Sequence, residues 1–434
     1  MQNGTLRSRW LMVMILFLFL LFSQLLGFFV EQITLLVSEF SSITERWFNF
    51  IYPTDLIFMM LFLPLGGVLF DRNLRKPLLS LSSFLWGISG WLMGIAPTFA
   101  TFNVSRAVFG LSRVSYSGIY AMAGDYFQPV NRGKILSLLL LAHPLSIVLG
   151  TLFEDVIVLE LFWREFLILM GAIAFLITIL IHIKLIEPKR GASEPALSDI
   201  SLNGTYQINR DSAKLLITNP SLVLIYFLIF FGTIPAVALL EGLVIYLKDV
   251  HNLLKPEIYS TILPGMLGVV LGYPAGGIIG DALFKRKKSG RLFLCLLGFL
   301  VALISVIFAL RTRNVSGNLF LSLILMTGFF IGIPLPNLFA SIMDVTLPEL
   351  RASAMAIVLF LQTFGFVFVP RILAFGMSFF SIVKTILIIS IVPWIICLFL
   401  MLGMFIHIKK DIEALRSHMA FRGLMETRPT RLEG

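Results

Sequence analysis

Arg106 and Arg113 stand in an apolar stretch that carries no other charge until Asp125. Seven residues apart, they fall on one face of a helix. A guanidinium turned toward hydrocarbon is heavily penalised, so this face is expected to line an interior cavity, where an arginine can hold an anion. Counting back from Asp125 at ~1.5 Å per residue puts Arg113 ~18 Å and Arg106 ~28 Å up the helix. Glu31 lies 21 residues beyond Trp10 in the first apolar run, at about the depth of Arg106. The two are expected to pair, with Glu31 exchanging a proton as the pair breaks and Arg113 left for a substrate. Arg113 bonded to backbone carbonyls and Glu31 in interfacial water are the structural alternatives.

Glu241 is the candidate to face Arg113 from the second half of the chain, or else to sit at an outer mouth beside Lys248 and Asp249. Tyr116, Asn337 and Gln362 are further candidate substrate contacts, and Tyr226, Phe231 and Tyr246 candidate walls for an apolar substrate part. His143, beside Pro144, has no charged neighbour and is expected to be packed. No Gly-x4-Gly-Lys-Ser/Thr loop or nucleophile-and-base set occurs, and Cys295 and Cys397 have no metal-ligand spacing. Neither an enzyme, a metal nor any other cofactor is therefore expected.

The elements that must position these residues are membrane helices. Of 434 residues 58% are hydrophobic, 41 are Phe and only 13% are charged, which excludes an ordinary soluble domain. Apolar runs of ~20 residues, enough to cross ~30 Å of hydrocarbon, recur along the chain. The expected spans are 10–36, 48–70, 77–97, 102–127, 134–158, 162–186, 219–247, 256–284, 291–310, 317–344, 352–376 and 380–407. This is an all-α membrane protein of about twelve helices: a bundle over 1–186, a linker over 187–218, a second bundle over 219–408 and a tail over 409–434. The net charge of +10 reports topology rather than a nucleic-acid partner. Arg72, Arg75, Lys76, Arg132, Lys134, Lys189, Arg190, Lys285 to Lys288, Lys409 and Lys410 all fall on one side. The opposite loops hold Glu39, Glu45, Glu154, Asp155 and Glu160, with Arg311 and Arg313. The basic side, with both termini, is expected to be cytoplasmic.

A short polar pattern is written twice. Gly67-Val-Leu-Phe-Asp71, followed by Arg72 and Arg75, is echoed by Gly277-Ile-Ile-Gly-Asp281 and its lysines. Asp125-x3-Pro129-x2-Arg132 is echoed by Asp344-x3-Pro348-x2-Arg351. A repeat of half the chain points to two bundles moving about a central site. These residues are expected to form a cytoplasmic gate. Asp71 would accept hydrogen bonds at a helix N-terminus, Arg72 would pair with Asp125, and Gly67 would admit a neighbouring helix. A static loop anchor is the alternative for each motif alone.

The loop from Gly67 to Lys76 resembles the signature loop of the major facilitator superfamily. Trp163-Arg164 and Glu187-Pro-Lys-Arg-Gly191 look like that superfamily's fifth-to-sixth-span region. Ser105-Arg106 through Ser115-Tyr116, Asp125, and Met343-Asp344 through Ala354 are similar to Spinster-like transporters. That resemblance implies alternating access and an anionic or amphipathic substrate such as a lysolipid. It also implies a proton-linked cluster of an acid on the first span with an Arg and a Glu on the fourth. Glu31 and Arg106 match this cluster; Arg113 stands where the Glu is expected. The expected partners are a small-molecule or lipid substrate, protons and the bilayer, for a monomer in the cell (plasma) membrane. A multidrug or organic-anion exporter, a non-transporting sensor and a lipid scramblase are the alternatives.

Overall fold

The computed structural model of the protein describes residues 2–39, 53–154, 162–197, 208–312 and 314–427. Glu45, Asp155, Glu160 and Arg313, counted above for charge asymmetry, lie outside the described residues, as does the start of the expected second span. Among the described residues there are helices and no strands. This is the solution open to a chain whose backbone polar groups must be satisfied inside hydrocarbon. Among the described residues ten helical stretches are long and apolar enough to cross a membrane, and the chain is a multi-pass integral membrane protein.

The first half holds α1 (Gln2–Glu39), α2 (Thr54–Arg72), α3 (Arg75–Gly94), α4 (Phe99–Arg113), α5 (Tyr116–Tyr126), α6 (Arg132–Leu140), α7 (Ala142–Glu154) and α8 (Trp163–Lys184). The second holds α9 (Arg210–Thr218), α10 (Pro220–Asp249), α11 (Lys255–Arg286), α12 (Gly290–Ala309), α13 (Asn318–Gly332), α14 (Pro334–Val345), α15 (Arg351–Met377) and α16 (Ile382–Thr427). The halves meet where α2 and α5 pack on α15, and where α6 and α7 pack on α11.

Three spans expected to be continuous are interrupted. The stretch 102–127 breaks at Val114 and Ser115, between α4 and α5. Ser112, Ser115 and Ser117 each donate a hydroxyl to a carbonyl three residues back, competing with the helical ladder. The stretch 317–344 breaks at Ile333, where Pro334 and Pro336 supply no amide proton. These breaks are 219 residues apart, the same offset as Asp125 and Asp344. The stretch 134–158 breaks at Leu141, three residues before Pro144.

The last span does not end near 407. Helix α16 runs unbroken to Thr427, burying Ile412 and Met419. Its Asp411 accepts the Ser221 backbone N–H at 3.1 Å, and its Arg422 pairs with Glu349 at 2.7 Å. The continuation is thus folded against the ends of α10 and α15. Met419→Asp buries a charge in this contact and should increase amide exchange over residues 409–425. Unchanged exchange there, measured by hydrogen–deuterium mass spectrometry, would show that the packing does not hold the segment.

Candidate functional site

Arg106 and Arg113 are both buried, and both are held by one carboxylate that the sequence reading passed over. Asp55, at the start of α2, accepts from Arg106 Nη2 at 2.7 Å through Oδ1 and from Arg113 Nη1 at 2.9 Å through Oδ2. The expected Glu31–Arg106 pair is therefore replaced. Arg106 is fully buried against Asp55, while Glu31 lies on the cavity wall. Nor does Arg113 lack a carboxylate. Its Nη2 also donates to Gln24 at 3.2 Å, and its guanidinium lies 5.5 Å from the Phe109 ring and 5.7 Å from the Tyr116 ring. Its Nε is buried and has no hydrogen-bond partner.

Counting along α2 would have found the acid. Asp55 lies 16 residues before Asp71, hence ~24 Å from the basic end, between the levels computed for Arg113 and Arg106.

A cavity of about 1140 Å³ opens between the two halves of the sequence. Its first-half wall carries Gln24, Glu31, Gln32, Arg113, Tyr116 and His143. The larger second-half wall is predominantly apolar, built from residues such as Ile229, Val237, Leu240, Val269, Ile331 and Phe366. Glu241, Gln362 and Arg371, the last not singled out from sequence, are among its polar exceptions. His143 packs edge-on against Phe366 with ring centroids 5.5 Å apart. Five residues depart from expectation here. Arg106 does not reach the cavity, and Asn337 is buried with its amide donating to the Gly276 and Ile333 carbonyls. Tyr226 and Tyr246 are buried elsewhere, and Phe231 stacks on Phe227 and meets Phe230 edge-on, away from the lining.

Below the cavity, at the basic end, lies a layer of buried ion pairs with two-fold character. Asp71 accepts the backbone N–H groups of Ala352 at 3.0 Å and Ser353 at 2.7 Å, at the N-terminus of α15. Asp281 accepts those of Gly133 at 3.0 Å and Lys134 at 2.9 Å, at the N-terminus of α6. Each acid joins one half to a helix of the other, where the helix dipole favours an anion. Two glycines permit the approach. A Cβ on Gly67 would lie 2.7 Å from Ala356 Cβ, and one on Gly277 would lie 2.4 Å from the Gly133 carbonyl oxygen.

The arginines cross between these acids. Arg75 Nη1 binds Asp125 at 2.6 Å, and Arg351 binds the other oxygen of Asp125. Arg132 Nη1 binds Asp344 at 3.0 Å, while Arg291 binds Asp344 and also Asp281. The expected Arg72–Asp125 pair does not form: Arg72 points into the open and Arg75, three residues on, takes the place. Its second-half counterpart is Arg291, not the exposed Lys285 to Lys287.

Residues expected to be plain linker complete the layer. Glu187 accepts the backbone N–H groups of Arg75 and Lys76 at 2.6 and 2.8 Å. Glu194 pairs with Arg132 from the first half and Arg351 from the second, both through Oε1. Burial pushes the Glu194 carboxyl up, but the two guanidinium groups outweigh it and hold it at about 2, against an ordinary value of 4.5. At the far end, Glu154 of α7 binds Lys255 Nζ at 3.0 Å and accepts from Tyr259 at 2.8 Å, both on α11.

The sequence model described as Major Facilitator Superfamily matches residues 12–370. Human protein spinster homolog 3 is 28% identical over 171 residues, covering 38% of this chain and 33% of that protein. Protein spinster of Drosophila melanogaster is 25% identical over 314 residues, covering 68% of this chain and 50% of that protein. The chain thus spans between a third and half the length of these curated relatives. Among solved structures, the human organic anion transporter MFSD10 (TETRAN) superposes with a TM-score of 0.70 at 16% identity, covering 91% of this chain and 99% of that one.

Two measurements test the ion-pair layer. A hydrogen bond to a charged acceptor contributes about 1.5–3 kcal/mol, so Asp71→Asn or Asp281→Asn should loosen the basic end. Spin labels on exposed Arg72 and Lys285 should then report a population at longer distance, and an unchanged distribution would count against these contacts as the fastening. Because the Glu194 pKa is depressed, its docking is at full strength above about 4.5 and is lost as pH falls toward about 2. That shift is of order 3 kcal/mol. Pepsin cleavage within residues 187–197 should accelerate across this range in the wild type, and Glu194→Gln should already be cut quickly at its upper end.

Proposed function

Since the chain belongs to the Major Facilitator Superfamily, we propose that it is a secondary transporter of a small anionic or amphipathic molecule of lysolipid type. It works by alternating access, with two six-helix bundles, residues 1–186 and 219–408, rocking about the cavity. In this reading the interrupted pair α4 and α5 forms one crossing and α3 another, giving twelve. The basic end and both termini face the cytoplasm, as the positive-inside rule favours, and the membrane is the plasma membrane. The ion-pair layer is the cytoplasmic gate: it holds that end shut and parts when the site turns inward.

The observation that carries the reading is Arg113. It lines the cavity, and at 8% exposed it is the most open of the buried arginines among the described residues. A guanidinium so placed can take an anionic headgroup while the apolar second-half wall takes a hydrocarbon part. Glu31 lines the same wall. Arg106, Arg113, Asp55 and Glu31 sum to zero charge when all are ionised. An anion arriving at Arg113 is balanced when Glu31 takes up a proton, and this is the proposed basis of proton coupling.

A second reading, export of hydrophobic cations, is favoured by Glu31 and Glu241 on the wall. Proteoliposome flux separates the two. Uptake of a lysophospholipid or an organic anion should depend on a pH gradient in the wild type, fall to background in Arg113→Ala, and lose its gradient dependence in Glu31→Gln. Undiminished uptake by a folded Arg113→Ala protein would sink the anion reading. Binding without flux would identify a sensor, and lipid movement without any gradient a scramblase.

A further inference from the structure

The two α4 arginines are unequal, and Asp55 makes them so. Its carboxylate is fully buried, outside the cavity lining, with one oxygen on each guanidinium. Arg106 is fully buried beside it, whereas Arg113 reaches the cavity. Three buried charges thus sum to a single positive charge, and only one of the two arginines presents it. The placement is built into α4. Gly110 lies between the arginines on their shared face, and a Cβ there would come within 2.2 Å of the Asp55 carbonyl oxygen and 3.0 Å of its Cα. The missing side chain lets the α2 backbone rest on α4 at the level where one short carboxylate spans both guanidinium groups.

We propose that Asp55 is a positioning residue that sets the charge selectivity of the substrate site. By cancelling one arginine it leaves the cavity matched to one negative charge. By engaging Arg113 through Nη1 it fixes the guanidinium with its exposed edge turned to the cavity and that ligand. In a poorly screened interior each added charge changes the attraction for an anion strongly, so an uncompensated second arginine would favour dianions. The inference rests on Arg113 as the anion anchor. Other charged groups on the cavity wall, Glu31, Glu154, Glu241 and Arg371, stay constant across the variants below, so a change in charge preference isolates Asp55.

The test uses full-length protein in nanodiscs and two single-chain probes, decanesulfonate as monoanion and decyl phosphate at pH 8 as dianion, with binding read by calorimetry. Wild type should favour the monoanion. Asp55→Asn should move the affinity ratio toward the dianion by about tenfold or more. Adding Arg106→Gln should restore the wild-type ratio, although Arg106 does not touch the cavity. Arg106→Gln alone removes the net positive charge and should weaken both probes by about tenfold. This variant and the double one test the proposal even if Asp55→Asn does not fold.

An unmoved ratio in Asp55→Asn, or Arg106→Gln binding as wild type, overturns the role of Asp55 while leaving Arg113 as anchor. Binding that survives Arg113→Ala overturns the anchor and this inference together. A merely structural Asp55 would change folded yield without changing the ratio.

Discussion

Each of the six buried arginines among the described residues is held by a carboxylate, and this requirement determines where the helices meet. An unpaired guanidinium in hydrocarbon is expensive, whereas a paired one gives its energy back only in one geometry. Arg75 and Arg351 converge on Asp125, and Arg132 and Arg291 on Asp344, so the starts of α3, α6, α12 and α15 and the ends of α5 and α14 are drawn to one level. Arg106 and Arg113 draw α2 to α4 in the same way.

The pairing is symmetric at the basic end and asymmetric around the cavity. Asp71 and Asp281 cap helices of opposite halves, and the breaks at Val114 and Ile333 recur at the repeat offset. At the broken span, however, the first half carries Arg106 and Arg113 where the second carries Leu325 and Gly332. At these two positions, therefore, only the first half contributes buried charge. A cavity whose larger wall is mainly apolar, broken by Glu241, Gln362 and Arg371, is suited to a molecule with both polar and hydrocarbon parts.

The membrane class, the helical architecture and the superfamily were legible in the sequence, because apolar runs and a doubled motif survive without knowledge of contacts. The pairings were less so. Adjacency to Asp71 favours Arg72, but Arg72 ends α2 and Arg75 opens α3, and the non-helical Asn73–Leu74 link between them leaves the first exposed and brings the second inward onto Asp125. Asp55 was missed because an acid opening a span looks like an interfacial cap, and only depth counting on both helices brings it level with the arginines. Glu194 carried no signal, since its partners lie 62 and 157 residues away and a polar linker does not announce where it docks. Asn337 misled for a different reason: a polar residue in a span can satisfy its own bundle's backbone as readily as a ligand.

The shared oxygen of Glu194 has a kinetic side. The strap that bears it is covalently continuous with α8 on one side and with the second half on the other, so after release its carboxylate never leaves the neighbourhood of Arg132 and Arg351. Tethered groups of this kind meet at effective concentrations of about millimolar. Reclosure is then a first-order search over a short chain, independent of protein concentration. Lengthening the segment between strap and bundle would slow that search while leaving every contact in the closed state as it is.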